Sequence, residues 1–119
     1  MALSSPVRPA NPLPRFAEVA TALGMSREEQ AKFLGMSRSS YFRSLKAPEV
    51  DPRVAALAEY LPRAYEQLLE LFGNEEDVRN WLLYPNLALG RARPLDLLRS
   101  LGGYEEVLET ARRGVYGVY

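Results

Sequence analysis

The amino-acid sequence predicts an all-α fold. Apolar residues recur at the three- and four-residue spacing of a helix face, as Phe16, Val19 and Leu23 illustrate. Glycine or proline ends each such segment, whereas no stretch of useful length alternates apolar and polar residues as a strand does, and no segment repeats. The 119 residues are enough for one domain or for two small lobes that share a core.

The N-terminal segment is predicted to differ from the rest of the chain. Residues 1–15 contain four of the nine prolines, so we expect a flexible arm there rather than a helix. The first helix should begin at Phe16 and end at Gly24.

Two capped helices are predicted next. Ser26 and Glu29 have the spacing of a capping box, in which the two residues satisfy each other's free backbone N–H groups, and this second helix should end at Gly35. Ser37 then caps a third helix, which is predicted to run roughly to Leu45.

A long apolar face marks the following helical stretch, from Pro52 to Gly73. Pro62 interrupts it, and because proline lacks the N–H that a helix interior uses, either a kink or the start of a second helix is expected there. Asn74 caps the next helix, whose acidic first turn suits the positive end of the helix dipole. That helix should end near Pro85.

Two shorter helices are predicted at the C-terminal end. Pro94 stands at the start of the first one, and Gly102 with Gly103 stands at its end. The second covers about residues 104–113 and ends at Gly114.

The composition excludes most catalytic chemistry. The chain has no cysteine and no histidine, which rules out thiol nucleophiles, disulfides, Cys/His zinc sites and a Ser-His-Asp triad. We therefore expect a binding protein that is not an enzyme and needs no cofactor. No apolar run approaches the ~18 residues of a membrane-spanning helix, so the expected location is the cytoplasm, with no membrane partner.

The charge is unevenly distributed, although its sum is zero. Residues 1–48 carry seven cations and three anions, a net charge of +4, so residues 49–119 carry −4. This asymmetry predicts a basic lobe that faces nucleic acid, joined to a lobe with another role.

The segment from Gln30 to Leu45 meets the physical requirements of a helix-turn-helix. Ala31 is small where two helices cross, Gly35 suits the tight turn, and Tyr41 falls on the inward face together with Leu45. These features predict DNA binding. The alternative is an ordinary three-helix bundle with a solvated basic face.

The same segment resembles the Xre-like helix-turn-helix regulators, which implies that the third helix enters the major groove of operator DNA. The residues expected to face DNA are Ser37, Arg38, Ser39, Phe42, Arg43 and Lys46. Arg38 is the expected base reader, because arginine can fork to guanine, while the serines and Lys46 would hold phosphates. Two copies are expected on a pseudo-palindromic operator, with the arm either inert or touching DNA. Tyr41 departs from the branched aliphatic residue common at its position.

The second half of the chain resembles the MbcA/ParS/Xre antitoxin toxin-binding domain. The resemblance rests on four strings in order, which are LFGNEEDVRNWL at 71–82, PNLALG at 85–90, RPLDLL at 93–98 and the segment 107–116. A DNA-binding region at 16–50 followed by a toxin-binding domain at 51–119 is the domain order of Xre antitoxins in RES-Xre toxin-antitoxin systems.

The resemblance implies a partner and a function. The chain would bind and inhibit a RES-domain toxin, an enzyme that consumes NAD or uses it for ADP-ribosylation, and would repress their shared promoter. It would act as a homodimer that forms a larger hetero-oligomer with the toxin. In this family the C-terminal region lies against the active-site cleft of the toxin. The residues expected to contact toxin are Arg91, Arg93, Arg112, Arg113, Gly114, Tyr116 and Tyr119.

Two interpretations stay open, one for an arginine pair and one for the whole chain. Arg91 stands where the family often has a glycine, and the pair Arg91 and Arg93 could simply be solvated. The alternative is a stand-alone helix-turn-helix repressor whose C-terminal domain only dimerises, which predicts no neighbouring toxin and no growth phenotype.

Overall fold

The computed structural model of the protein describes residues 11–116, with side chains as far as Gly114. Within them the only extended pairing is an isolated bridge between Asn86 and Ala92, so the all-α prediction is confirmed. The α-helices are α1 (Leu13–Ala22), α2 (Arg27–Phe33), α3 (Arg38–Lys46), α4 (Pro52–Phe72), α5 (Glu75–Leu83) and α6 (Leu101–Tyr116). Two short 3-10 helices, η1 (Leu87–Leu89) and η2 (Pro94–Leu97), lie between α5 and α6.

Helix α1 begins earlier than predicted. It starts at Leu13, so the prediction that residues 1–15 form no helix is wrong for its last three residues. Prolines are tolerated there because the first turn of a helix has no partner for their missing N–H groups. Asn11 fixes this start, since its amide donates to the carbonyls of Ser44 at 2.7 Å and Ala47 at 2.8 Å. Residues 1–10 of the predicted arm lie outside the described residues.

Helices α2 and α3 begin at the predicted caps. Ser26 Oγ accepts the Glu29 N–H and Glu29 Oε1 accepts the Ser26 N–H, both at 3.1 Å, which completes the capping box. Ser37 Oγ accepts the Ser40 N–H at 3.1 Å. The turn between the helices contains Gly35 with φ 70°, a left-handed conformation that glycine adopts at low cost. Together with α1, these helices form the predicted helix-turn-helix lobe.

Tyr41 is accommodated inside this lobe. Its side chain is 0% exposed, and its hydroxyl donates to Gln30 Oε1 at 2.6 Å. Gln30 is itself buried and uses its Nε2 to donate to the Met25 carbonyl at 2.9 Å. Burial raises the pKa of the Tyr41 hydroxyl. The core is therefore adjusted around this tyrosine, and its hydroxyl does not reach the surface.

Helix α4 joins the two halves of the molecule. It is one continuous helix with Pro62 buried inside it, so a second helix does not start at Pro62. It packs against α1 on one side and against α5 and α6 on the other. Helix α5 begins at the predicted cap, where Asn74 Oδ1 accepts the Asp77 N–H at 2.9 Å.

The C-terminal helices differ from the prediction. Pro94 begins only a 3-10 turn, and the glycine pair 102–103 lies in the first turn of α6 instead of ending a helix. Gly103 is needed for packing, because a Cβ at this position would collide with the Leu97 carbonyl. Ser100 caps the helix, since its Oγ accepts the Gly103 N–H at 3.0 Å. Gly114 also lies within α6, so it does not end the last helix.

One hydrophobic core runs through all six α-helices. Phe16 connects its aromatic members in the first lobe, with ring centroids 5.6 Å from Phe33 and 6.4 Å from Tyr41. In the second lobe Trp81 is only half-buried and packs edge-on against Phe72 at 5.8 Å. No helix among the described residues is long and apolar enough to cross a membrane.

Candidate functional site

The outer surface of α3 carries all six residues that were predicted to face DNA. Each of them is exposed: Ser37, Arg38, Ser39, Phe42, Arg43 and Lys46. Arg38, Phe42 and Lys46 are spaced four residues apart and so lie along one line of the helix. The structure therefore brings the predicted set together on one face.

Arg38 and Phe42 form a stacked pair on this face. The Arg38 guanidinium carbon lies 5.6 Å from the centroid of the Phe42 ring, and Phe42 is 38% exposed. A cation over an aromatic face is attracted to the ring without using its N–H groups. The guanidinium is thus held in place while its donors stay available to a base or a phosphate.

Two hydroxyl groups at the start of α3, those of Ser37 and Ser40, are already engaged. Ser37 caps the helix and also donates to Ser40 Oγ at 2.9 Å, and Arg43 donates to the same Ser40 Oγ at 3.3 Å. What Ser37 offers to a phosphate is therefore the helix start itself, where backbone N–H groups lack helical partners.

Helix α3 is anchored at its C-terminal end and from behind. Tyr41 holds its middle to Gln30, and Asn11 holds its last carbonyls. Asn11 was not among the predicted site residues, because the proline-rich arm was expected to include it. The signal was present, since Asn11 directly precedes Pro12 and the apolar Leu13, a pattern that can open a helix.

The predicted toxin-contacting arginines lie in two places. Arg91 and Arg93 lie in the segment between η1 and η2, whereas Arg112 and Arg113 lie near the end of α6. Arg112 donates to Gln67 Oε1 at 3.1 Å, and Arg113 pairs with a glutamate one turn back at 3.1 Å. Gly114 is exposed with open space around it. The Tyr116 side chain and Tyr119 lie outside the described residues.

Arg91 and Arg93 differ in how they are held. Arg93 binds both carboxylate oxygens of Asp96, at 3.0 Å and 2.9 Å, and this contact raises the pKa of Arg93. Arg91 has a left-handed backbone with φ 69°, and its guanidinium makes no hydrogen bond or ion pair with the residues that the structure describes. The left-handed backbone explains why the resembled family often has a glycine here.

A cleft of about 590 Å³ separates the helix-turn-helix from η2. Arg99 crosses one side of it, donating from Nε to the Phe33 carbonyl at 3.0 Å and lying 5.9 Å above the Phe33 ring. Glu29 lines the other side, and its pKa is lowered by the backbone and side chain of Ser26, with a smaller effect from Arg93. These contacts fix the two lobes relative to each other.

The C-terminal lobe exposes two large apolar side chains that the sequence analysis did not single out. Tyr84 is 68% exposed and Leu87 is 81% exposed. Helical periodicity gave no indication of these exposed side chains, because both residues lie outside the α-helices. No three Asp or Glu side chains within residues 11–116 form a group that could hold a metal ion.

Comparison with protein families gives two matches. Residues 2–61 match the family described as antitoxin Xre-like helix-turn-helix domain, which is just over half of the chain. Residues 67–110 match the family described as antitoxin Xre/MbcA/ParS C-terminal toxin-binding domain. No curated protein matches the chain. The short interval between the two matched regions lies inside helix α4.

Proposed function

The chain belongs to the family of antitoxins with an Xre-like helix-turn-helix domain, and from this premise we propose that it neutralises a RES-domain toxin and represses their shared operon. The observation that carries the proposal is the order of the two matched modules. A DNA-binding module is followed by a toxin-binding module, and one continuous helix, α4, joins them. The protein acts in the cytoplasm as a binding partner without catalysis of its own. The NAD chemistry belongs to the toxin.

The DNA-binding function uses the outer face of α3. Arg38 forks to a guanine in the major groove, and the neighbouring Phe42 ring offers an apolar surface to a thymine methyl group. Arg43, Lys46 and the serine-capped helix start contact phosphates. The position of Arg38 over Phe42 supports this division of roles. A side chain that is already oriented loses less conformational entropy when it binds a base.

Autorepression requires two copies of the chain. One helix-turn-helix covers one half-site, and tight specific binding usually needs two half-sites one helical turn apart. We therefore propose a homodimer on a pseudo-palindromic operator, joined by toxin into a larger complex.

The toxin is held through the C-terminal lobe and its tail. Arg112, Arg113 and Gly114 lie at the end of α6, from which the chain continues to Tyr119. In this proposal the end of the chain enters the active-site cleft of the toxin, and Arg91 and Arg93 contact its rim. The RES class is supported by the resemblance of the strings within residues 71–116 together with the order of the two domains.

The proposal is tested by co-expression with a RES-domain toxin, whose gene the proposal places in the same operon. The full chain should restore growth and cellular NAD, and should co-elute with the toxin in a defined ratio. A chain that lacks residues 114–119 should lose the rescue but keep operator binding. If the full chain gave no rescue and no complex, the antitoxin proposal would be overturned in favour of the stand-alone repressor.

A further inference from the structure

The most exposed large apolar side chains in the described part of the molecule lie in one short segment. Leu87 is 81% exposed and Tyr84 is 68% exposed, compared with 57% for Leu101 and 38% for Phe42. A single exposed leucine needs no explanation, but two large, strongly exposed apolar groups three residues apart on an ordered segment are typical of an interaction site.

This segment is held rigidly by its own backbone. Asn86 Oδ1 accepts the Ala88 N–H at 2.9 Å, and the Asn86 N–H donates to the Ala92 carbonyl at 3.0 Å. The Asn86 carbonyl accepts the Arg91 N–H at 2.9 Å, which closes the turn. Leu89 is buried and fastens the segment to the core. Leu87 is therefore presented outward on a preformed support, which reduces the entropy lost on binding.

A cation lies in the same segment as the two apolar side chains. Arg91 is exposed, its guanidinium has no hydrogen bond or ion pair within the described residues, and it keeps a left-handed backbone that costs free energy for a side chain other than glycine. Arg93, two residues later, is instead paired with Asp96. Tyrosine and arginine are the residue types enriched at energetic centres of interfaces. We call Tyr84, Leu87 and Arg91 the 84–91 surface.

The partner for this surface is indicated by the family match. The toxin-binding family matches residues 67–110, which include the 84–91 surface and stop before the C-terminal tail. This match places the 84–91 surface inside a toxin-binding module. Resting on the proposed function, we infer that the 84–91 surface is an independent toxin-docking site. Leu87 and Tyr84 enter an apolar recess on the toxin, and Arg91 pairs with a carboxylate at its rim.

The test measures toxin affinity with the full chain and three variants. The probe is the RES-domain toxin whose gene the proposal places in the same operon, titrated by calorimetry against each purified protein. Leu87→Ala and Tyr84→Ala should each weaken binding by at least ~30-fold, the loss typical of an interface centre. Leu101→Ala is the matched control, because it removes an exposed leucine of the same lobe outside the 84–91 surface, and it should change affinity by less than ~3-fold.

The outcomes separate this inference from the proposed function. Leu87→Ala should lose toxin affinity without a change in thermal unfolding or operator binding, because the exposed Leu87 side chain is not part of the core. If the unchanged chain binds toxin and both alanine variants bind it equally well, the inference is overturned but the proposed function is not. No toxin binding by the unchanged chain would overturn the proposed function and the inference together. An equal loss in Leu101→Ala would also contradict the 84–91 surface as the specific site.

A charge reversal tests the role of Arg91. Arg91→Glu should weaken toxin binding by ~10-fold or more, while Arg91→Lys should retain most of the affinity, because it keeps the charge. Sedimentation of the same variants identifies the other occupant of the surface. If Leu87→Ala dissociated the homodimer and left toxin affinity unchanged, the surface would be the contact between two copies, and the inference would be wrong.

Discussion

The two lobes display their candidate functional residues in opposite ways. On α3 the charged side chains point outward and the large tyrosine, Tyr41, is fully buried behind them. On the 84–91 surface the order is reversed, because Tyr84 and Leu87 face outward and hydrogen bonds of the backbone provide the support. A charged binding face therefore agrees with the usual pattern of polar residues outside and apolar residues inside, whereas an apolar binding face is an exception to this pattern.

The largest expected difference between the lobes is their response to salt. Binding of operator DNA by α3 should weaken by roughly 10³- to 10⁵-fold between 50 and 200 mM salt if about 6 to 10 phosphates are contacted, because bound counterions are released. Toxin binding through the apolar 84–91 surface should change far less, since apolar contacts are not screened by ions. Fluorescence anisotropy titrations at several salt concentrations measure both, and flat salt dependence for DNA would contradict phosphate contact by α3.

A pair of tyrosine variants sharpens the comparison at the level of stability. Tyr41→Ala should lower the free energy of unfolding by ~3 to 5 kcal/mol, because it opens a cavity and removes one of the two donors to the buried Gln30 Oε1, the other being Arg27. Tyr84→Ala should change it by less than ~0.5 kcal/mol, as expected for an exposed side chain. Urea unfolding followed by circular dichroism gives both values. Equal losses would mean that Tyr84 is part of the core in solution.

Two cation variants on α3 separate base reading from phosphate binding. Arg38→Ala should remove ~1 to 3 kcal/mol of discrimination between the operator and a mutated site, because the guanine fork is lost. Lys46→Ala should weaken binding to all sequences evenly and lower the salt slope by about one unit. Competition binding against the operator and a scrambled duplex distinguishes them, and identical effects of both variants on all DNA would refute the assigned roles.

The smallest expected effect tests whether Arg91 is kept for binding at the expense of stability. Arg91→Gly should raise the free energy of unfolding by up to ~1 kcal/mol, because relief of the left-handed strain exceeds the entropy that glycine loses on folding. The same variant should bind toxin more weakly, since the free guanidinium is lost. Thermal unfolding combined with toxin titration checks both directions, and Gly90→Ala, which introduces strain next to it, should lower stability.

The sequence by itself determined the local features that depend on neighbouring residues. The caps at Ser26, Ser37 and Asn74, the glycine turn at Gly35 and the exposed set on α3 were all predictable, because capping and helical periodicity act within one or two turns. The composition alone also excluded thiol nucleophiles, Cys/His zinc sites and a Ser-His-Asp triad, because the chain has no cysteine and no histidine.

Only the tertiary structure decided what depends on contact between distant segments. Gly103 resembled a helix terminator, but the approach of the Leu97 carbonyl makes it a packing residue inside α6. Leu87 and Leu89 look equivalent in the sequence, yet one is 81% exposed and the other 7%, because the turn closed at Asn86 points them in different directions. Burial is a property of the assembled core, so no local pattern could separate the leucine that folds the protein from the leucine that is available to bind.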